Sequence, residues 1–344
     1  MQTVERATAG GARSLPPRRR ICALTLSGIL WLPLALAGVF TDDFATDPGA
    51  RGWRAFGDAS LFGWQPAAQR LEVTWDSERP NSYWFRPLGT VIGMDDDFRA
   101  GFDLTLSEVA AGIVPGKPYT FQIAAGFFRM ADATASGFHR ASAMASPNLV
   151  EWDYFPDTGL GATISPVIVS SRSRFIPSFS FPLEMEPEVR YRVEMEYTAT
   201  DRTLVVSMTA DGAPFGPIQP VTLPDNFDGF RADAFGFLSY HSEGGDPRFL
   251  GSVLARGVVD NVVLVTPDPP RFAIGFVGTA DQPAVRVGTT RPGWRYVLEA
   301  SGDAANWLRV GGPLPGTGSL LDIADDRGGA SGAHSLYRVR AEPE

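Results

Sequence analysis

Glu151 and Asp153 are the residues of this chain whose types and spacing could do chemistry. They lie one residue apart in the segment 148–159, which predicts a buried strand followed by a Pro-Asp-Thr-Gly turn. Side chains alternate along a strand, so both carboxylates point to one face, with Cα atoms about 6.6 Å apart. Two carboxylates this close repel each other unless a bound cation, an arginine or a reacting glycosidic bond uses them.

Each possible partner of this pair predicts a different function. A metal ion bound by the pair favours a binding protein. An open groove with a third carboxylate nearby favours catalysis by Glu151 and Asp153, as acid and base or nucleophile. A pair closed by an arginine such as Arg140 or Arg172 favours a purely structural role, and the sequence leaves all three open.

The first 37 residues predict an export signal. Arginines at 18–20 precede an apolar stretch over 21–36, and 35–37 form a small-x-small cleavage site. The alternative is an uncleaved membrane anchor, for which the stretch is short. The only cysteine, Cys22, lies inside this signal, so a mature chain would have no disulfide, thiolate zinc site or cysteine nucleophile. We therefore expect a periplasmic or extracellular protein that meets a membrane only through an uncleaved signal.

The charge balance is acidic. The chain has a formal net charge of −9, and the signal contains five arginines and one glutamate, which leaves −13 for the mature part. Lys117 is its only lysine. This balance argues against a phosphate-binding or anionic-membrane surface and against a nucleic-acid partner, whereas it suits calcium ligands.

The pattern of strands predicts an all-β fold. Glycine and proline are frequent, at 37 and 28 residues, and few segments show a helical period. A large two-sheet antiparallel sandwich is expected over 38–266, with strands at 70–76, 82–85, 98–106, 119–130, 148–155, 166–170, 191–198, 203–210, 234–240 and 257–266. Residues 267–270 form a proline-rich linker, and 271–344 are expected to form a small β-sandwich.

Three stretches agree in order with a known family. Residues 121–128, 150–161 and 233–240 resemble strands of the legume-type (L-type) lectins in the concanavalin A-like lectin/glucanase superfamily. The resemblance spans about residues 40–266 and implies a jelly-roll fold. The C-terminal part is similar to immunoglobulin or fibronectin-like modules.

The resemblance also implies metal ligands. Glu151 corresponds to the transition-metal ligand, Asp153 to the carboxylate that bridges both metals, and the Phe155 carbonyl and Asp157 to calcium ligands. Three departures weaken this correspondence, because a bridging aspartate, a histidine ligand and the sugar-contacting aspartate of the family fall at Ala162, near Val167 and at Ala125. A single structural calcium is what remains.

A second resemblance concerns the ends of the large domain. Residues 42–44 and 259–262 resemble the terminal strands of secreted modules of this superfamily, many of which hold a structural calcium between their first and last strands. The resemblance makes Asp43 and Asp260 candidate calcium ligands. The alternative is that both are ordinary turn and strand-end residues.

The retaining glucanases of this superfamily supply the catalytic alternative. Their Glu-x-Asp-x-Glu or Glu-x-Asp-x-x-Glu pattern is only half present, because Phe155 and Pro156 occupy the positions of the second glutamate. Glu151 and Asp153 alone could approach the spacing of an inverting pair.

Residues 240–246, at and after the end of the predicted strand 234–240, provide further ligand candidates. In lectins of this fold the corresponding loops line the ligand site, so Tyr240, His241, Asp246 and the turn residue Asp157 are candidate ligand-binding residues. A solvated loop is the alternative. Together these features predict an exported, non-catalytic, carbohydrate-binding protein with structural calcium. A glycoside hydrolase or lyase and a structural or adhesive surface protein remain the alternatives, and the oligomeric state is undetermined.

Overall fold

The computed structural model describes residues 38–140, 145–243, 250–267, 272–278, 283–302, 306–327 and 336–343. Residues 36–344 cluster as one compact unit. Within the described residues, no helix is long and apolar enough to cross a bilayer. The predicted signal and most of the predicted linker lie outside the described residues.

Two antiparallel sheets form the large sandwich. The first sheet contains nine strands: β1 (Val39–Asp42), β3 (Phe62–Gln65), β4 (Arg70–Asp76), β6 (Phe98–Ala111), β11 (Arg190–Thr198), β12 (Thr203–Ala210), β13 (Ala213–Phe215), β14 (Val221–Thr222) and β16 (Val253–Val265). Its main order is β13-β12-β11-β6-β16-β4-β3, with β1 on β16 and β14 on β12. The first and last strands of the large sandwich are therefore paired with each other.

The second sheet carries the carboxylate pair. Its strands are β2 (Arg54–Phe56), β5 (Ser82–Gly93), β7 (Ile123–Phe128), β8 (Leu149–Phe155), β9 (Thr163–Val169), β10 (Phe175–Pro177) and β15 (Arg231–Ser239), in the order β10-β9-β8-β7-β15-β5-β2. A 3-10 helix (Ala59–Leu61) and the short helix α1 (Met130–Ala133) lie in connections. β8 is thus an interior strand, with β7 and β9 on either side.

Alternation along the strands builds the core between the sheets. In β4 every second side chain is buried, namely Leu71, Val73 and Trp75, as expected for a strand with one face on a core. Aromatic rings meet across the sandwich: Phe102 of the first sheet contacts Trp152 at 6.0 Å and Phe237 at 5.3 Å between ring centroids. The sandwich is therefore held by packed apolar side chains.

The C-terminal residues form two small sheets. One contains β17 (Ile274–Phe276), β18 (Ala284–Val287) and β22 (Leu321–Ala324), and the other β19 (Trp294–Ser301), β20 (Leu308–Arg309), β21 (Leu314–Pro315) and β23 (Leu336–Pro343). They enclose a second hydrophobic cluster that includes Trp294, Tyr296 and Leu298, and Val91 of β5 joins it. The predicted all-β class and two-sheet architecture are confirmed, whereas the domain boundaries and the type of the small module stay predictions.

Candidate functional site

The face of β8 that carries the two carboxylates points away from the sandwich core. Trp152 lies between them in sequence and packs inwards on Phe102, so Glu151 and Asp153 point outwards by alternation. They are nevertheless 0% and 1% exposed. Other side chains must therefore cover this outer face. One of them, Arg140, belongs to the segment that joins β7 to β8.

Arg140 of that segment binds both carboxylates. Its Nε donates to Glu151 Oε2 at 2.7 Å and its Nη2 donates to Asp153 Oδ2 at 2.6 Å, and Arg140 is itself 4% exposed. A buried charge is tolerated when it is paired and hydrogen-bonded. This arrangement is the third alternative of the sequence analysis, in which an arginine closes the pair.

Tyr240 adds a hydrogen bond to the network at Glu151. Its hydroxyl donates to Glu151 Oε1, so both Glu151 oxygens have donors. Asp153 Oδ1 is buried without a hydrogen-bond partner, as is the hydroxyl of Ser165, the cross-strand neighbour of Asp153. Burial, reinforced by the neighbouring Glu151 charge, raises the pKa of Asp153 well above its ordinary value although Arg140 acts in the opposite direction. Burial therefore favours the protonated form of Asp153.

The chain connecting β7 to β8 is anchored at several points besides Arg140. Tyr83 Oη donates to the Ala133 carbonyl at 3.0 Å, and Gln122 Nε2 donates to the Arg140 carbonyl at 3.2 Å. Underneath, Gly126 lies opposite Glu151 in the β7–β8 register, and a Cβ there would come within 2.7 Å of the Glu151 Cα atom. A glycine is thus required where the two strands and the buried glutamate meet.

This geometry limits what the pair can do. A general acid or base must reach its substrate within hydrogen-bond distance, and both carboxyl groups are covered. The guanidinium of Arg140 lies where the sequence analysis expected a metal ion at Glu151 and Asp153, so the donor set does not fit a metal ion there while Arg140 is bound. No group of three or more His, Cys, Asp or Glu side chains able to hold a metal ion occurs among the described residues.

The turn after β8 lies apart from this network. The Asp157 carboxylate is exposed and accepts a hydrogen bond from Gly159 N at 2.8 Å within its own turn. Phe155 is half-buried and pairs with Thr163 of β9. Their assignment as calcium ligands stays a prediction.

The terminal strands do bring acidic residues together. Asp42 pairs with Val262 in the β1–β16 register, and a register shift follows Asp260 on β16. Burial is the main factor that raises the pKa of Asp260, and Asp103, Asp43 and Asp42 add to it. Asp43 and Asp260 accept hydrogen bonds from the backbone of Ala45 and Asn261. Calcium accepts such carboxylates, and its presence here stays a prediction.

A small groove opens near Tyr240, at the end of the second sheet. Its volume is about 310 Å³, and its lining includes Phe56, Asn81, Phe138, His139 and His241. Asn81 joins two of its walls, because its Oδ1 accepts from His241 N at 2.8 Å and its Nδ2 donates to the Phe138 carbonyl at 3.3 Å. The sequence analysis named His241 but not His139, which carries no motif that could have revealed it.

Tyr240, another residue of the predicted ligand loop, lies behind the groove. Tyr240 is 2% exposed because its ring packs between Tyr83 and Phe138, so it supports the groove from behind. Asp246 lies outside the described residues. Lys117 fastens the loop, since its Nζ donates to Glu78 Oε1 and to Ser242 Oγ, both at 2.7 Å.

No protein-family model matches this chain, and no curated protein matches it. Among solved structures, it is similar to lectin II from Ulex europaeus (13% identity, TM-score 0.41, covering 66% of this chain and 97% of that one). It is also similar to a seed lectin of Lotus tetragonolobus (12%, 0.42, 68% and 100%) and to the PL-14 alginate lyase of Aplysia kurodai (9%, 0.40, 67% and 99%). Likenesses at this level decide neither ligand nor reaction, so function has to be inferred from the side chains of this chain.

Proposed function

We propose that this chain is an exported, non-catalytic glycan-binding protein whose carboxylate pair shapes a ligand groove and does not react. The observation that carries this proposal is the closure of the pair: Arg140 is hydrogen-bonded to Glu151 and to Asp153, and all three side chains are almost fully buried. Carboxylates held in this way stabilise a conformation, and their burial supports a structural role.

The ion-pair network of Arg140, Glu151 and Asp153 helps to position one wall of the groove. Arg140 follows Phe138 and His139, which line the groove, so the ion pairs fix the chain directly beside that wall. Tyr240 binds Glu151 and contacts the Phe138 ring at 6.0 Å between centroids. The carboxylates are therefore positioning groups for a binding surface.

The chemistry of the groove suits a sugar. Aromatic and apolar side chains form part of its lining, and an amide and two imidazoles supply polar contacts. Its volume of about 310 Å³ is near the lower end for small-molecule sites, which is about 300 Å³. The sequence resemblance to L-type lectins supplies the ligand class, and the acidic charge argues against phosphate-rich ligands.

A glycan array followed by isothermal titration tests this proposal. We expect a glycan that binds the wild type and binds His241→Ala or His139→Ala at least about tenfold more weakly. Ser207→Ala, on an exposed position of β12, is the matched control and should bind normally. Absence of any bound glycan, or equal affinity in all variants, would refute the proposal.

The enzymatic alternative needs a separate assay. Incubation with β-glucans and alginate should give no new reducing ends or unsaturated products. Turnover by the wild type that disappears in Glu151→Gln, while the urea unfolding midpoint stays unchanged, would establish catalysis by the pair and overturn the non-catalytic assignment.

A further inference from the structure

A larger cavity lies on another part of the molecule, where the large sandwich meets the turn before β19. Its volume is about 690 Å³, within the range of about 300–1,000 Å³ for ligand sites. Arg291 and Pro292 of that turn line it together with residues from the end of β5, the start of β8 and the start of β15. No predicted site residue belongs to it.

Opposite charges are balanced around this cavity. Its charged lining residues are Arg129, Arg231, Arg291, Asp95, Asp96 and Asp228. Arg291 is ion-paired with Asp96, whose second oxygen accepts from Gly93 N at 2.9 Å. Three guanidinium groups and three carboxylates therefore line the cavity, and neither sign is in surplus.

The base of the cavity is rigidly built. Asn148 is 3% exposed, donates through Nδ2 to Asp132 at 2.6 Å and accepts through Oδ1 from Arg231 N at 2.9 Å. The Arg231 side chain lies against Gly293, where a Cβ would come within 3.4 Å of Nε. A site held in this way loses little freedom when a ligand binds.

These features select a class of ligand. An anion or a cation would need a surplus of opposite charge, which the lining does not provide. Neighbouring hydroxyls of a neutral sugar each donate and accept hydrogen bonds, so they match a lining that combines guanidinium donors with carboxylate acceptors. We propose that this cavity is a second glycan site, specific for an uncharged sugar and built from residues on both sides of the predicted linker.

The proposed cavity site is distinct from the groove at His241. Tryptophan substitutions that block one site at a time distinguish the two. Ser171 is exposed and lines the cavity, and Ser136 is exposed and lines the groove. Ser171→Trp should therefore block the cavity alone, and Ser136→Trp should block the groove alone. Pro292→Trp plugs the cavity from the other side and serves as the second variant if Ser171→Trp does not fold.

The measurement is titration calorimetry with glucose, galactose, mannose and cellobiose, with galacturonate and glucosamine as charged probes. For at least one neutral sugar, Ser171→Trp or Pro292→Trp should remove one class of sites in a protein with a wild-type unfolding midpoint, and Ser136→Trp should retain it. Neutral-sugar binding that is unchanged in both cavity variants, or a cavity that binds only the charged probes, would overturn the inference. Loss of binding only in Ser136→Trp would support the groove as the binding site and refute the proposed cavity site.

Discussion

Two clusters of acidic residues in the described part of the chain have different surroundings. On β8, Glu151 and Asp153 are buried and share one guanidinium. At the paired terminal strands, Asp43 is exposed, Asp260 is half-buried, and both accept hydrogen bonds from backbone amides. The first cluster has its cation within the chain. In the second, Arg51 is ion-paired with the neighbouring Asp42, and Asp43 and Asp260 are the carboxylates that could recruit an ion from solution. Burial together with an internal counter-ion is what separates an acidic pair that holds a fold from one that could bind an ion.

Removal of the internal cation should have the largest effect. Arg140→Met leaves the buried pair of Glu151 and Asp153 without its guanidinium partner, which costs about 3–5 kcal/mol of unfolding free energy. Urea unfolding measures the loss, and glycan binding at the groove should fall with it because Phe138 and His139 lose their anchor. A decrease below about 1 kcal/mol, within the range of exposed ion pairs, would show that the network is not buried in solution.

A charge-free version of the network is the control for this experiment. Arg140→Met combined with Glu151→Gln and Asp153→Asn removes all three charges. We expect it to recover most of the stability lost in Arg140→Met, because it leaves no unpaired buried charge.

Calcium should distinguish the terminal strands from β8 with an effect of intermediate size. If calcium binds there, thermal unfolding at about one hundred times the dissociation constant should show about 2.7 kcal/mol of stabilisation, which chelator removes. Asp260→Asn should abolish this shift and Asp153→Asn should leave it intact. A shift that disappears only in Asp153→Asn would place the ion on β8, against the arrangement of Arg140.

The smallest expected effect is the contribution of Asp153 to the pH dependence of folding stability. Burial raises its pKa in the folded state, so the folded protein keeps a proton that the unfolded chain releases above about pH 4. Stability from this group is complete at lower pH and decreases as pH rises towards the folded pKa. Asp153→Asn should flatten this decrease in urea unfolding measured from pH 4 upwards. Glu151→Gln removes a charge that helps to raise this pKa and should only shorten the pH range of the decrease, and an identical slope in the wild type and Asp153→Asn would contradict the assignment.

Strands with clear alternation were predictable from the sequence. β4 and β12 have the predicted bounds, because their side chains alternate between a core and solvent. The short strands β2, β10, β13 and β14 were missed, since two or three residues show no period and their pairing depends on neighbours far along the chain.

The site was predictable only in part. Strand alternation places Glu151 and Asp153 on one face, and Arg140 was one of two arginines considered as their partner. The choice between metal, substrate and arginine could not be made, because it depends on the path of the connection between β7 and β8, which has no periodic pattern. The burial of Tyr240 could not be predicted for a similar reason, since rings from two other segments cover it.

The tie between Lys117, Glu78 and Ser242 has a practical consequence. Lys117 is the only lysine of the sequence, so a reagent that acylates side-chain amines has a single target. Its Nζ donates a hydrogen bond to Ser242, the residue after His241. A fluorophore attached to Lys117 would therefore report from one known position beside the groove, without the need for an engineered cysteine.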